Sequence, residues 1–177
     1  MKICCAVIVA AITLVAGPNV SAQQSAKTIS ADLAAIMVQE AVLKCRADGV
    51  RITAKVVDAS NLEKALLSDD GAAALTVEFA QAKINTVILT GRPSGAGPGG
   101  APEVIEGASP GMSVFGGMIG IDAATGALIA GVDAGGAVPI KIGNEMVGVI
   151  AVSGASSPAK DIECANAALA KVADKLK

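Results

Sequence analysis

Gly135-Gly136-Ala137-Val138-Pro139-Ile140-Lys141-Ile142-Gly143-Asn144-Glu145-Met146-Val147-Gly148-Val149-Ile150-Ala151-Val152-Ser153-Gly154 holds two apolar runs around a Gly-Asn-Glu break. Two extended runs joined in this way read as a β-hairpin, so their strands pair antiparallel. Pro139 has no N–H to give a ladder, which sends its strand to a sheet edge or a bulge. Gly135 and Gly136 let the backbone turn sharply or approach a ligand closely. Ser153 and Gly154 could present a hydroxyl and backbone N–H groups to an anion, although a tight strand-to-helix turn is the simpler account. Gly135, Gly136, Pro139, Ser153 and Gly154 are therefore the candidate ligand-facing residues. No catalytic residue and no metal ligand stands out.

After the hairpin, Ser157-Pro158 opens a helix, with Ser157 as N-cap and Pro158 at the first helical position. Its apolar positions are Ile162, Ala165, Leu169, Val172 and Leu176. Upstream, Ser30-Ala31-Asp32-Leu33 opens another helix, which Asp48-Gly49 ends. Val50 to Asp58 alternates apolar and polar residues and predicts a half-buried strand, with Leu62 to Leu67 as its hairpin partner. A further helix runs from Ala72 to about Thr90, its end blurred by the strand-forming Val87-Ile88-Leu89. Residues 91–117 are rich in Gly, Pro, Ala and Ser and read as a long loop, followed by short strands at 118–121 and 127–132. The hairpins predict a mainly antiparallel sheet of about five strands flanked by helices, an α/β (α+β) single domain.

The 177 residues are 53% hydrophobic, with mean hydropathy +0.60. Much of that lies in Ile3 to Gly17, which follows Lys2 and precedes Val20-Ser21-Ala22. The pattern predicts a secretory signal peptide over residues 1–22, then a flexible segment over 23–29 and a domain over 30–177. The run is too short to span a bilayer convincingly, so the mature chain is expected to be periplasmic or secreted, with no membrane contact after cleavage. Cleavage leaves Cys45 and Cys164, which read either as one disulfide of an oxidising compartment or as two small buried hydrophobes.

Composition excludes several activities. There is no His, Tyr or Trp, and Phe79 and Phe115 are the only aromatic residues. Histidine-based nucleophilic catalysis and histidine metal ligation are thus absent. A net charge of −2 and so few aromatic rings argue against nucleic acid as a partner. Gly95 to Gly100 matches a dinucleotide fingerprint, but Pro98 and Pro102 leave it no following helix. Ser157 and Lys160 have the spacing of a Ser-Lys dyad, which the helix cap already explains.

The residues from Gly135 to Ile140, Gly143 to Ile150, Val152 to Ala155 and Asp161 to Ala165 together resemble the GlcG/HbpS-like haem-binding family. Val56-Val57-Asp58, Asp70-Gly71 and Ala80-Gln81-Ala82-Lys83 extend the likeness over residues 30–177, which is also similar to the C-terminal domain of PduO-type corrinoid adenosyltransferases. The resemblance implies a profilin-like antiparallel sheet with helices, a homo-oligomer, and a small-molecule ligand, with haem as cofactor or cargo. Where relatives ligate haem iron by His, this chain has none. Met37, Met112, Met118, Met146 and the two cysteines remain as axial candidates. Two other functions follow by analogy. One is a small enzyme or accessory subunit in organic-acid (glycolate-type) metabolism, with Asp58, Asp70 or Ser153 in polar roles. The other is a purely structural oligomerising module, in keeping with the low charged fraction of 17%.

Overall fold

Ser30 and Ser157 start two helices as their sequences predict. Ser30 Oγ accepts from Leu33 N at the head of α1 (Ala31–Ala47), and Ser157 Oγ accepts from Lys160 N at the head of α3 (Pro158–Val172). These contacts are seen in a computed structural model, which describes residues 28–95, 117–121, 126, 128–132 and 134–177. The expected signal peptide, and most of the 91–117 loop, lie outside the described residues. Between α1 and α3 come β1 (Thr53–Asp58), β2 (Glu63–Ser68), α2 (Leu75–Thr90), β3 (Gly117–Ile121), β4 (Leu128–Val132), β5 (Ala137–Ile142) and β6 (Glu145–Ser153). Val87 to Thr90 is helical despite its strand propensity. Gly91 then ends α2 in the left-handed region, at φ +67°.

The strands form a four-stranded antiparallel sheet in the order β2-β1-β6-β5 and a separate β3-β4 pair. The antiparallel α+β expectation holds, but the strands divide four and two where about five in one sheet were anticipated. Pro139 lies on β5, an edge strand, as its missing N–H requires.

Alternate residues of β6 feed two cores. Ile150 and Val152 join α1 and α3 on one face, while Val149 and Ala151 meet Ala80, Ile84 and Val87 of α2 on the other. Helices on both faces correct the half-buried reading of β1, all six of whose residues are buried. Its polar positions find partners: Thr53 Oγ1 bonds Ser68 Oγ at 2.8 Å and Thr76 Oγ1 at 2.7 Å, and Lys55 Nζ reaches the exposed carboxylate of Glu63 at 2.8 Å. Ile29, assigned by sequence to the segment before the domain, is buried and donates its N–H to Val147 O. The fold therefore starts before its first helix, because β6 takes a backbone bond from Ile29.

Cys45 on α1 and Cys164 on α3 form a disulfide with Cα atoms 5.8 Å apart, closing the two open readings in favour of the bridge. Lys44, Asp48, Lys160 and Glu163 form a charge network joining the same two helices.

Candidate functional site

Four of the five candidate ligand-facing residues meet at one end of the β5-β6 hairpin. Val152 N donates to Gly136 O at 2.8 Å, which sets Gly135 and Gly136 beside Ser153 and Gly154. Pro139 lies further along β5, opposite Val149.

The glycines there are close-packed against their own chain. A Cβ on Gly136, whose φ is +139°, would sit 2.5 Å from Val152 O and 2.7 Å from Lys83 Nζ. One on Gly135 would meet Ile162 Cδ1 at 2.7 Å. One on Gly154 would meet Arg51 O at 2.8 Å. Small residues at these positions let α2 and α3 close onto the sheet end.

What they admit is an ion pair. Lys83 Nζ donates to Asp161 Oδ2 at 2.6 Å and to Val152 O at 3.0 Å. Asp161 Oδ1 accepts the N–H of Ala155 at 2.9 Å. The two side chains are 5% and 6% exposed. Burial pushes the Asp161 carboxyl up, against the opposing pull of Lys83 and the Ala155 amide. Both residues fall within stretches that carry the family resemblance, yet neither was singled out. Nothing in the local pattern of α2 places a lysine inward.

Ser153 pairs with Thr53 in the ladder and is 5% exposed. Among the described residues its hydroxyl is the buried polar side-chain group without a hydrogen bond. A buried hydroxyl without a bond carries a desolvation cost that a ligand atom or water would relieve.

Asp58, Asp70 and Ser153 do not converge. Asp58 stands opposite Gly148 at the far end of β1 from Ser153. Its Oδ1 caps a turn by accepting from Ser60 N and Leu62 N, and its Oδ2 pairs with Lys64 at 3.2 Å. Ser157 and Lys160 serve α3 and the surface network, with Lys160 Nζ 2.6 Å from Asp48. Among the described residues no group of three or more acidic, cysteine or histidine side chains could hold a metal ion, and no helix is long and apolar enough to cross a membrane.

The family description "Haem degrading protein HbpS-like" matches residues 29–170. The chain belongs to the HbpS-like family. Solved HbpS-like structures share its fold. HbpS is 22% identical with TM-score 0.64, covering 89% of this chain and 99% of HbpS. A double mutant of HbpS from Streptomyces reticuli is 18% identical with TM-score 0.63, covering 93% and 99%. A PduOC–heme complex is 19% identical with TM-score 0.58, covering 81% and 94%. No curated protein matches the chain.

Haem can be tested against the ligands this HbpS-like chain offers. His and Tyr are absent from the whole sequence. Met37 is sealed in the α1 core, and Cys45 and Cys164 are consumed by the disulfide. Met146, partly buried against the cluster of Val149, Ala151 and α2, is a more open described thioether. Met112 and the side chain of Met118 lie outside the described residues. The described residues do not fit a haem iron held by histidine, tyrosine or cysteine thiolate.

Proposed function

We propose that the protein is an exported small-molecule-binding member of the HbpS-like family, acting as a homo-oligomer. The observation that carries the binding role is the family match across residues 29–170, supported by the shared fold of a PduOC–heme complex. Haem is the first ligand to test, held through its apolar faces and propionates rather than through a strong axial side chain. Ser153, with its hydroxyl unbonded, is the polar contact at the hairpin end, beside Gly135, Gly136 and Gly154. Export is supported by the leader-like residues 1–22 and by a disulfide buried between α1 and α3.

Titration of the mature protein with haem, followed in the Soret region, tests this reading. The expected result is a saturable band without the spectrum of a histidine-ligated iron. Absence of any shifted band or endpoint overturns the haem assignment. Native mass spectrometry of protein taken from its own periplasm or medium reads ligand mass and leader cleavage together. A mass retaining residues 1–22 overturns export by cleavage.

A further inference from the structure

The two edges of the four-stranded sheet are finished differently. On β5, Gly136 O bonds inward to Val152, so Ala137, Pro139 and Lys141 turn their backbone groups outward. Ser94 closes this edge: Ala137 N donates to Ser94 Oγ at 2.9 Å, and Ser94 N donates to Ala137 O at 3.0 Å. Pro139 has no N–H to offer.

The β2 edge has no such closure over its last residues. Asp69 N donates to Ile52 O at 2.9 Å, which sets the phase of the β1-β2 ladder. Ala65 and Leu67 then bond inward, while Leu66 and Ser68 turn N–H and C=O away from the sheet. Among the described residues these outward backbone groups have no partner. Past the charged Glu63 and Lys64, the end of β2 is apolar and open: Leu66 is 38% and Leu67 36% exposed, with Leu62 just before the strand at 60% and Leu75 at the start of α2 at 61%. An unprotected apolar edge strand is a template for another strand.

We propose that a second copy of this chain pairs antiparallel along β2 about a twofold axis at Leu67, joining two four-stranded sheets into one of eight. In this register Leu66 opposes Ser68 of the second copy, and all the outward groups of both residues are used. Leu67 faces its own counterpart across the axis. Lys64, which pairs with Asp58 at 3.2 Å, is carried toward Asp70 of the second copy, an exposed carboxylate that makes no ion pair among the described residues. The edge is therefore self-complementary in backbone bonding, apolar surface and charge. This inference gives a surface to the assembly part of the reading above and is independent of haem.

Sedimentation velocity and amide hydrogen exchange of the mature chain, without haem, test it. The wild type is expected as a dimer or a multiple of one, with exchange at Leu66 and Ser68 slowed about tenfold or more at high concentration and released on dilution. Leu66→Pro places on β2 the device that Pro139 places on β5 and should halve the mass. Leu67→Glu sets two carboxylates face to face and should do the same, even where the proline variant fails to fold. An oligomer whose Leu66 and Ser68 amides exchange freely places the second copy elsewhere. A wild-type monomer leaves the edge to a foreign strand. Either result overturns the proposal, as does full wild-type mass in a folded Leu67→Glu variant. A dimer that binds no haem upholds the interface while removing the ligand reading.

Discussion

Lys83 Nζ stands 2.6 Å from Asp161 Oδ2 inside the protein, a contact that ties α2 to α3 across a separation of 78 residues. The same ammonium holds Val152 O, and the same carboxylate holds Ala155 N. One pair therefore fastens both helices to the end of β6.

Breaking that pair from one side leaves a buried charge unmatched. Lys83→Met or Asp161→Asn should each lower the unfolding free energy by about 3–5 kcal/mol. The double change Lys83→Met with Asp161→Leu should be less damaging than the worse single, as read by urea unfolding. A double variant that loses the sum of both singles would show that the residues do not act as a unit.

Acid should weaken the fold in a defined range. Hydrogen bonding from Arg46 is the main cause holding the Asp69 carboxyl down to about 2, against its burial, with Arg51 and the Asp70 amide assisting. Lys160, then Lys44, hold Asp48 down to about 2. A depressed carboxylate stabilises fully above its unfolded value of 3.8 and loses that contribution as pH falls through its folded value. Unfolding free energy should thus be flat just above pH 4 from these groups and fall steeply toward pH 2. In Asp69→Asn the slope should be shallower, at a lower starting stability. An unchanged slope would contradict the assignment.

The disulfide closes a long loop, since Cys45 and Cys164 are 119 residues apart. Reduction, or the double change to Ala, should cost about 5 kcal/mol on the chain-entropy account. Urea titration with and without reductant measures it. Thiol counting on the unfolded mature protein should find no free thiol before reduction.

Gly136→Ala should be damaging beyond its size. Its φ of +139° disfavours any side chain, and the new methyl would meet Val152 O and Lys83 Nζ. A loss of about 2 kcal/mol or more is expected by thermal or urea unfolding. Gly143→Ala, where a Cβ meets nothing within 4 Å, isolates the backbone part because its φ is +61°. Equal losses at both positions would remove the crowding argument.

Local chemistry made much of the fold legible. Ser30, Ser157 and Pro158 mark helix starts through cap geometry, and Gly143-Asn144 marks a turn, because these effects act within a few residues. Pro139 announced its edge position because a missing donor cannot sit inside a ladder. Of the candidate site, the glycines and Ser153 were found as a cluster, while their partners Lys83 and Asp161 were not. The alternation from Val50 to Asp58 was read as one buried face, and it failed because polar residues can be buried when distant side chains meet them. Thr53 meets Thr76 of α2 in this way.

Sequence alone was sufficient for the element types, the antiparallel pairing of the hairpins, the resemblance to the HbpS-like family and the lack of a histidine for iron. Those properties depend on residue identity, short spacing and motif order. Tertiary structure alone decided that Cys45 meets Cys164, that Lys83 turns inward to Asp161, and that β5 is sealed by Ser94 while the end of β2 is left open. Each of these joins or compares residues far apart in the chain. Their energies depend on distance and desolvation, which exist only after the sheet and its helices have packed.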